Sequence, residues 1–404
     1  MNIVIVGFGV AGATAAEAAR QHNPEAYITI FSKENDLFYY RPRLLEVVSG
    51  QLVPDKVIAH PKSWYDERGI ELRLGETLRE INIQEKIVRG STGSRQQYDR
   101  LLLAVGAEST RPFYFGDKLD GLYAVRSLND AWSLNLYAKG KNRVVLIGSG
   151  LLGLELAMAL AKQGLAVTVL ERGDRILPRQ TTPGSAELLR KKLAAFGLEF
   201  ILKVEADRFE GVKKIEKVVL KNRQNLPADL VLLSAGITPN LSLATTLGLK
   251  IDKAIVVDQY LETSLPGIYA AGDCAQFLGV AGGLWTTSRA QGLVAGTNIA
   301  VTDPAARIQY SPVPPSTALK VAGIDLIATG DLDPEAKLRG VEVVTDSIYR
   351  KVVVDAEGCL VGFTNVGSTR GNRELSQVLS AKIKLPPETL TDLAKLDFDF
   401  ARLA

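Results

Sequence analysis

The chain opens on an apolar run, Ile3-Val4-Ile5-Val6, that breaks into Gly7-Phe8-Gly9-Val10-Ala11-Gly12. It continues through small residues to Arg20 and reaches a second apolar run ending at Phe31, shortly before Glu34. A short apolar run bounded by turn residues predicts a buried strand. The order expected over this stretch is strand, glycine turn, helix, strand. The pattern then recurs. Arg143-Val144-Val145-Leu146-Ile147 runs into Gly148-Ser149-Gly150-Leu151-Leu152-Gly153, and a small-residue helix leads to Ala166-Val167-Thr168-Val169-Leu170, with Glu171 at its end.

Between the copies, Ile70 to Leu74, Lys86 to Val88 and Tyr98 to Val105 predict strands, the last running into Gly106. Asp229 to Ser234 is the matching strand of the second copy. After it come Ile255 to Val257 and Ile268-Tyr269-Ala270-Ala271-Gly272-Asp273, which we assign back to the first unit, so that the second is inserted into the first. Gly282 to Ala300 predicts a glycine-broken loop and a helix, and Pro312-Val313-Pro314-Pro315 marks a linker. Beyond it, short strands (Val341 to Thr345, Tyr349 to Asp355) and helical stretches (Arg373 to Lys382, Pro387 to Leu396) predict a smaller domain without a phosphate motif. The expected fold class is α/β. Two Rossmann-like domains, 1–111 with 241–309 and 112–240, precede a small α+β domain over 310–404.

Each glycine in such a turn has a mechanical job. The first permits the tight turn, the second lets backbone approach a pyrophosphate, and the third lets helix and strand pack closely. The helix N-terminus adds free N–H groups and a positive dipole end. An acid at the end of the following strand, Glu34 or Glu171, is placed to bind a ribose. Two copies, each with its own strand, helix and acid, point to two dinucleotide sites.

Composition narrows the picture further. With 48 basic and 45 acidic residues among 404, the net charge of +3 is too balanced for a nucleic-acid binder. Cys274 and Cys359 lie far apart, so neither a disulfide framework nor a zinc site is readable, and a reducing compartment is expected. No apolar run reaches the roughly 18 residues that span a bilayer. The reading is of a soluble, cytoplasmic protein. His22 and His60, the only histidines, are read as surface residues.

With the two glycine turns, Ala104-Val105-Gly106-Ala107 and Gly272-Asp273 on the page, the chain resembles the FAD-dependent pyridine nucleotide-disulfide oxidoreductase superfamily over its whole length. That likeness implies the glutathione-reductase type of paired nucleotide domains. Phe38-Tyr39-Tyr40-Arg41-Pro42-Arg43-Leu44 is similar to a segment of flavin reductases that serve small iron-sulfur carriers. Ala318 to Ile324, followed by Gly330-Asp331-Leu332, resembles the start of the C-terminal domain of NADH:rubredoxin oxidoreductases, the group the chain looks most like.

The resemblance implies roles for particular residues. Gly7, Gly9, Ala11 and Gly12 would hold the FAD pyrophosphate, with Ala104 and Gly106 in the turn beside the cofactor. Glu34 and Arg41 would sit at the adenosine ribose and phosphate, Leu78 would cover the adenine through its backbone, and Arg126 would reach the FAD. Asp273, after Gly272, would bind the ribityl chain; the alternative is a helix N-cap. Trp285 would lie beside the isoalloxazine; the alternative is core packing. Gly148, Gly150 and Gly153 would take the nicotinamide cofactor, and Glu171 favours NADH over NADPH, though Arg172 beside it can accommodate a phosphate. Glu155 would lie near the nicotinamide and the flavin. Relatives carry a lysine where this chain has Glu46, and two nearby carboxylates would raise one pKa, so Lys320 is the candidate for the missing positive charge.

Phe38 to Leu45 contains no cysteine, which argues against the thiol chemistry of the disulfide reductases. The implied activity is transfer of electrons from NADH through FAD to a small acidic one-electron carrier, rubredoxin before others. Arg43, Lys320, Arg370 and Arg373 are the expected docking cations. Two other readings stand beside it: a type II NADH:quinone dehydrogenase, which the acid-interleaved tail Leu390 to Ala404 disfavours, and a flavin-binding signalling protein resembling apoptosis-inducing factor.

Overall fold

The computed structural model describes residues 1–312, 324–333 and 337–403, and the backbone of the strand Ser316–Val321. Asn2–Val6 is the central strand of a five-stranded parallel sheet with the order Ile268–Ala270, Arg100–Leu103, Asn2–Val6, Tyr27–Phe31, Ile70–Arg73. Both faces are covered, so Val4, Ile5, Ile28, Ile30 and Leu101 to Leu103 are fully buried. That is why these strands read as unbroken apolar runs. The last strand arrives only after the chain has built a second parallel sheet: Leu198–Leu202, Ala166–Glu171, Arg143–Ile147, Leu230–Leu233, Leu122–Tyr123. The insertion expected from sequence is therefore present. A third sheet is antiparallel, in the order Ser316–Val321, Ile324–Gly330, Leu360–Val366, Tyr349–Val354, Arg339–Val344.

Three features were not predicted, apart from one strand of the first, expected at Lys86 to Val88. Each nucleotide-binding unit carries a three-stranded antiparallel ribbon, Leu78–Asn82 with Ile87–Gly90 and Arg95–Gln97 in the first, Ala206–Glu210 with Lys217–Leu220 and Asn225–Pro227 in the second. Ala107–Ser109 pairs with Ile237–Pro239, binding together the two segments that follow the last strand of each unit's repeat. Third, helices Val10–His22 and Trp285–Ala300 touch backbone to backbone: a methyl group on Gly292 would lie 2.4 Å from the Ala11 carbonyl oxygen, and one on Gly296 would lie 2.3 Å from that of Ala15.

A first core lies around the opening sheet. The second is shared by all three parts of the chain. Tyr39, Leu44, Val47, Val48 and Val57 enter it beside Leu154 and Leu189 of the inserted unit and Leu326, Tyr349 and Val366 of the C-terminal sheet. The tail packs as well: Phe398, Phe400 and Leu403 are buried against Leu375 and Phe363, and Arg370 donates to the carbonyls of Leu396, Asp397 and Phe398. Among the described residues, no helix is long and apolar enough to cross a membrane.

Candidate active site

A cavity of about 1360 Å³ opens beside the first glycine turn. It exceeds the roughly 300–1,000 Å³ of an ordinary small-molecule pocket and so suits an elongated ligand. Its lining brings together Gly7, Gly9, Ala11, Glu34, Arg41, Leu78, Ala104, Gly106, Arg126, Gly272, Asp273 and Trp285, residues scattered over most of the chain. Leu151 and Leu152, the first residues of the helix after the second glycine turn, line it too. The first turn lines this space directly, and the second meets it through the start of its helix, while Gly148, Gly150, Gly153 and Glu171 are not among the lining residues.

The first turn shows the expected division of labour. Gly7 has φ +108°, and a methyl group there would lie 2.2 Å from the Ala104 carbonyl oxygen. Gly12 faces away from the cavity, where a methyl group would meet the Gly7 carbonyl oxygen at 2.0 Å, so it sets the packing of helix on strand. Gly9 is different: nothing lies within 4 Å of the position its side chain would take. As N-cap of Val10–His22 it offers no capping side chain, and the first turn holds no acid. The helix thus presents unpaired N–H groups and positive potential to open space, an arrangement that fits a pyrophosphate.

Glu34 is held at its two oxygens. Tyr39 donates its hydroxyl to Oε2 at 2.7 Å, and an Arg41 nitrogen lies 3.4 Å from Oε1. The other terminal nitrogen of Arg41 donates to the Arg126 carbonyl at 2.7 Å. Arg126 in turn pairs through its guanidinium with Asp273 and donates from Nε to the Ala107 carbonyl at 2.9 Å. Asp273 also accepts from Ser288 Oγ at 3.0 Å. No helix starts at Asp273, since the strand Ala275–Phe277 follows, which removes the N-cap alternative. Trp285 begins the helix Trp285–Ala300, half-buried at the cavity wall and stacked on Phe38 with ring centres 6.0 Å apart.

In the second turn Gly148, at φ +94°, would bring a methyl group to 2.5 Å from the Ser234 carbonyl oxygen, while Gly153 packs against the Ser234 side chain. Gly150 is the roomier position and again an N-cap without a side-chain bond. Glu171 is folded under this turn. Its Oε2 accepts from Ser149 N at 3.0 Å and Ser149 Oγ at 2.6 Å, and its Oε1 accepts from Gly173 N at 2.8 Å. Three donors hold the carboxylate, which leaves about one of its four acceptor sites open. Ser149 was not singled out from sequence. The signal available was a hydroxyl between the glycines, with an acid at the next strand's end.

Glu155 sits one turn further along the same helix, outside the cavity lining. Burial pushes its pKa up to about 7. Among the described residues no hydrogen-bond or ion-pair partner meets it, and the side chain of Lys320 lies outside the described residues, although its strand runs beside this helix. The carboxylate conflict expected with Glu46 does not arise. Glu46 is gripped bidentately by Arg43, at 3.0 and 2.9 Å, and that bond holds its pKa below the usual carboxylate range. Two of the expected docking cations are thus already occupied, Arg43 on Glu46 and Arg370 on the tail carbonyls; Arg373 is exposed. Cys274 is fully buried and its thiol is pushed up to about 11 by that burial. His60 is half-buried and stacks on Trp64 at 4.2 Å, while His22 is exposed, with Nδ1 2.9 Å from the Ala18 carbonyl.

Comparison with known proteins agrees with this geometry. The family model described as pyridine nucleotide-disulphide oxidoreductase matches residues 1–292. A rubredoxin-NAD(+) reductase of Ectopseudomonas oleovorans is 35% identical over 277 residues, 68% of this chain and 72% of that protein. The assimilatory nitrate reductase electron transfer subunit of Bacillus subtilis is 32% identical over 378 residues; they make up 93% of this chain but 48% of that protein, so the chain spans about half the length of this relative. Among solved structures, a ferredoxin reductase from Rhodopseudomonas palustris superposes with a TM-score of 0.89 at 26% identity, covering 100% of this chain and 99% of that one.

Proposed function

The chain belongs to the pyridine nucleotide-disulphide oxidoreductase family, and from that premise we propose that it passes electrons from NADH through FAD to a small one-electron carrier, most specifically rubredoxin. The observation that carries this reading is a cavity lined by the first glycine turn and by Leu151 and Leu152, the start of the helix that follows the second. FAD, when bound, supplies the chemistry that accepts a hydride from NADH and gives up electrons singly.

The chain's own residues bind and orient. Gly9 and the free N–H groups of Val10–His22 would receive the flavin diphosphate; Glu34 and Arg41 would take the adenosine ribose and phosphate. Asp273, fixed by Arg126 and Ser288, presents a rigid carboxylate to the polyol chain. At the second turn, Gly150 and the helix behind it suit the nicotinamide dinucleotide, and Glu171 disfavours a 2′-phosphate. Among the described residues no cysteine lines the cavity, and the buried Cys274 thiol stays protonated at neutral pH, so transfer to an external acceptor fits better than disulfide reduction.

The resemblance to rubredoxin-NAD(+) reductases supports rubredoxin as the acceptor, and the burial of Phe398, Phe400 and Leu403 speaks against a membrane-seated quinone reductase. The test is NADH oxidation by the purified flavoprotein with rubredoxin, ferredoxin, a soluble quinone and oxygen compared side by side. We expect rubredoxin to turn over fastest. A faster rate with quinone or oxygen would overturn the proposal.

A further inference from the structure

Tyr39 occupies an unusual position. Its ring lies in the second core with Leu128, Leu134 and Leu154, yet its hydroxyl leaves that core and reaches the nucleotide acid of the first unit. The oxygen does two things at once. It donates to Glu34 Oε2 at 2.7 Å and accepts from the backbone N–H of Leu128 at 3.1 Å. Leu128 is the first residue of the helix Leu128–Ala138, whose own capping box uses Ser127 and Asp130 to satisfy other N–H groups. Tyr39 therefore meets a donor that the helix cannot pair internally.

The ring cannot follow if Glu34 moves. It is 5% exposed, and Arg41 lies over its face at 5.4 Å while also reaching Glu34. Burial raises the phenol pKa, with Arg41 opposing the shift and Glu34 adding to it, so the hydroxyl remains a donor to the carboxylate at physiological pH. Ribose recognition needs the Glu34 oxygens in fixed directions. Here one oxygen is fixed by a group whose own position is set by the packing of the inserted unit.

We propose that Tyr39 is a positioning residue for the adenosine end of the flavin nucleotide, tying its retention to the docking of the helix Leu128–Ala138. This rests on the flavoprotein reading above and goes beyond it. If it holds, the adenosine half of FAD and the seating of the inserted unit are coupled, whereas FMN, which carries the isoalloxazine and ribityl phosphate without adenosine, is indifferent to Tyr39.

The experiment measures FAD and FMN dissociation constants by flavin fluorescence on the deflavinated full chain and on Tyr39→Phe. We expect FAD to weaken by about ten-fold, the effect of losing a hydrogen bond to a charged group, with FMN affinity unchanged. Equal losses for both flavins would reduce Tyr39 to a structural residue, and no loss for either would also overturn the inference. Should the variant fail to fold, the unaltered chain still decides the matter by amide hydrogen exchange. FAD should slow exchange at Leu128 more than FMN does, and equal protection by the two would overturn it. A chain that binds neither flavin removes the flavoprotein reading and this inference with it.

Discussion

At the scale of single residues, Glu155 is a group whose environment changes its chemistry near neutral pH. Its folded value of about 7 lies above the ordinary 4.5 because burial penalises the charged form. Between those values the folded protein holds a proton that the unfolded chain has released, so stability falls as pH rises through this window. Glu155→Gln removes that dependence. We expect the variant's thermal midpoint to rise relative to the parent's between about pH 5 and about pH 8, and a constant difference across that range would show that Glu155 does not titrate there. The residues that line the cavity were largely readable because glycines at fixed spacing, and an acid after a strand, leave local marks. Ser149, Ser288 and Tyr39 were not read as contacts. Each has a partner between 15 and 89 positions away, although Tyr39 also meets Glu34 only five positions off.

At the scale of elements, the strands of the two parallel sheets announce themselves because burial on both faces demands continuous apolar runs. The ribbons do not. Leu78–Asn82 is interrupted by a bulge between Leu78 and Glu80 that breaks its two-residue period, and Arg95–Gln97 is short and polar. The helix pair was legible only in part. Sequence placed a helix near Trp285–Ala300 but not what it touches, although Gly292 and Gly296, one turn apart, carry the signal of close approach. With a backbone oxygen 2.3 Å from where its methyl group would sit, Gly296→Ala must push the helices Val10–His22 and Trp285–Ala300 apart. Overpacking of this kind costs about 1–3 kcal/mol. Urea unfolding should show that loss with an unchanged m-value, and because Ala11 belongs to the cavity lining, flavin should dissociate faster from the variant as well. A variant as stable as the parent would mean that the contact is looser than it looks.

At the scale of the whole molecule, the C-terminal sheet is held to the nucleotide-binding units by shared core and by one buried polar contact. Thr182 Oγ1 donates to the Tyr349 hydroxyl at 2.6 Å at the start of the helix Pro183–Ala194, and Gly184 in that helix leaves the space that the Tyr349 ring fills. Ile324, Leu326, Leu332, Tyr349 and Val366 complete a core whose other members include residues of Leu151–Ala161 and Pro183–Ala194. Each large apolar side chain buried there contributes about 1.5–3 kcal/mol. A chain ending before residue 310 therefore uncovers the outer faces of both helices. We expect it to bind a hydrophobic dye, to melt at a lower temperature and to self-associate, even though every glycine of both cradles is intact. A truncated chain that stays monomeric, with the parent's melting temperature, would show that the C-terminal sheet is an appendage. The shared core argues otherwise: the sheet that carries no phosphate motif closes the hydrophobic back of the unit that does, so its contribution to nucleotide binding is mechanical and reaches the cavity through the helix that bears Leu151 and Leu152.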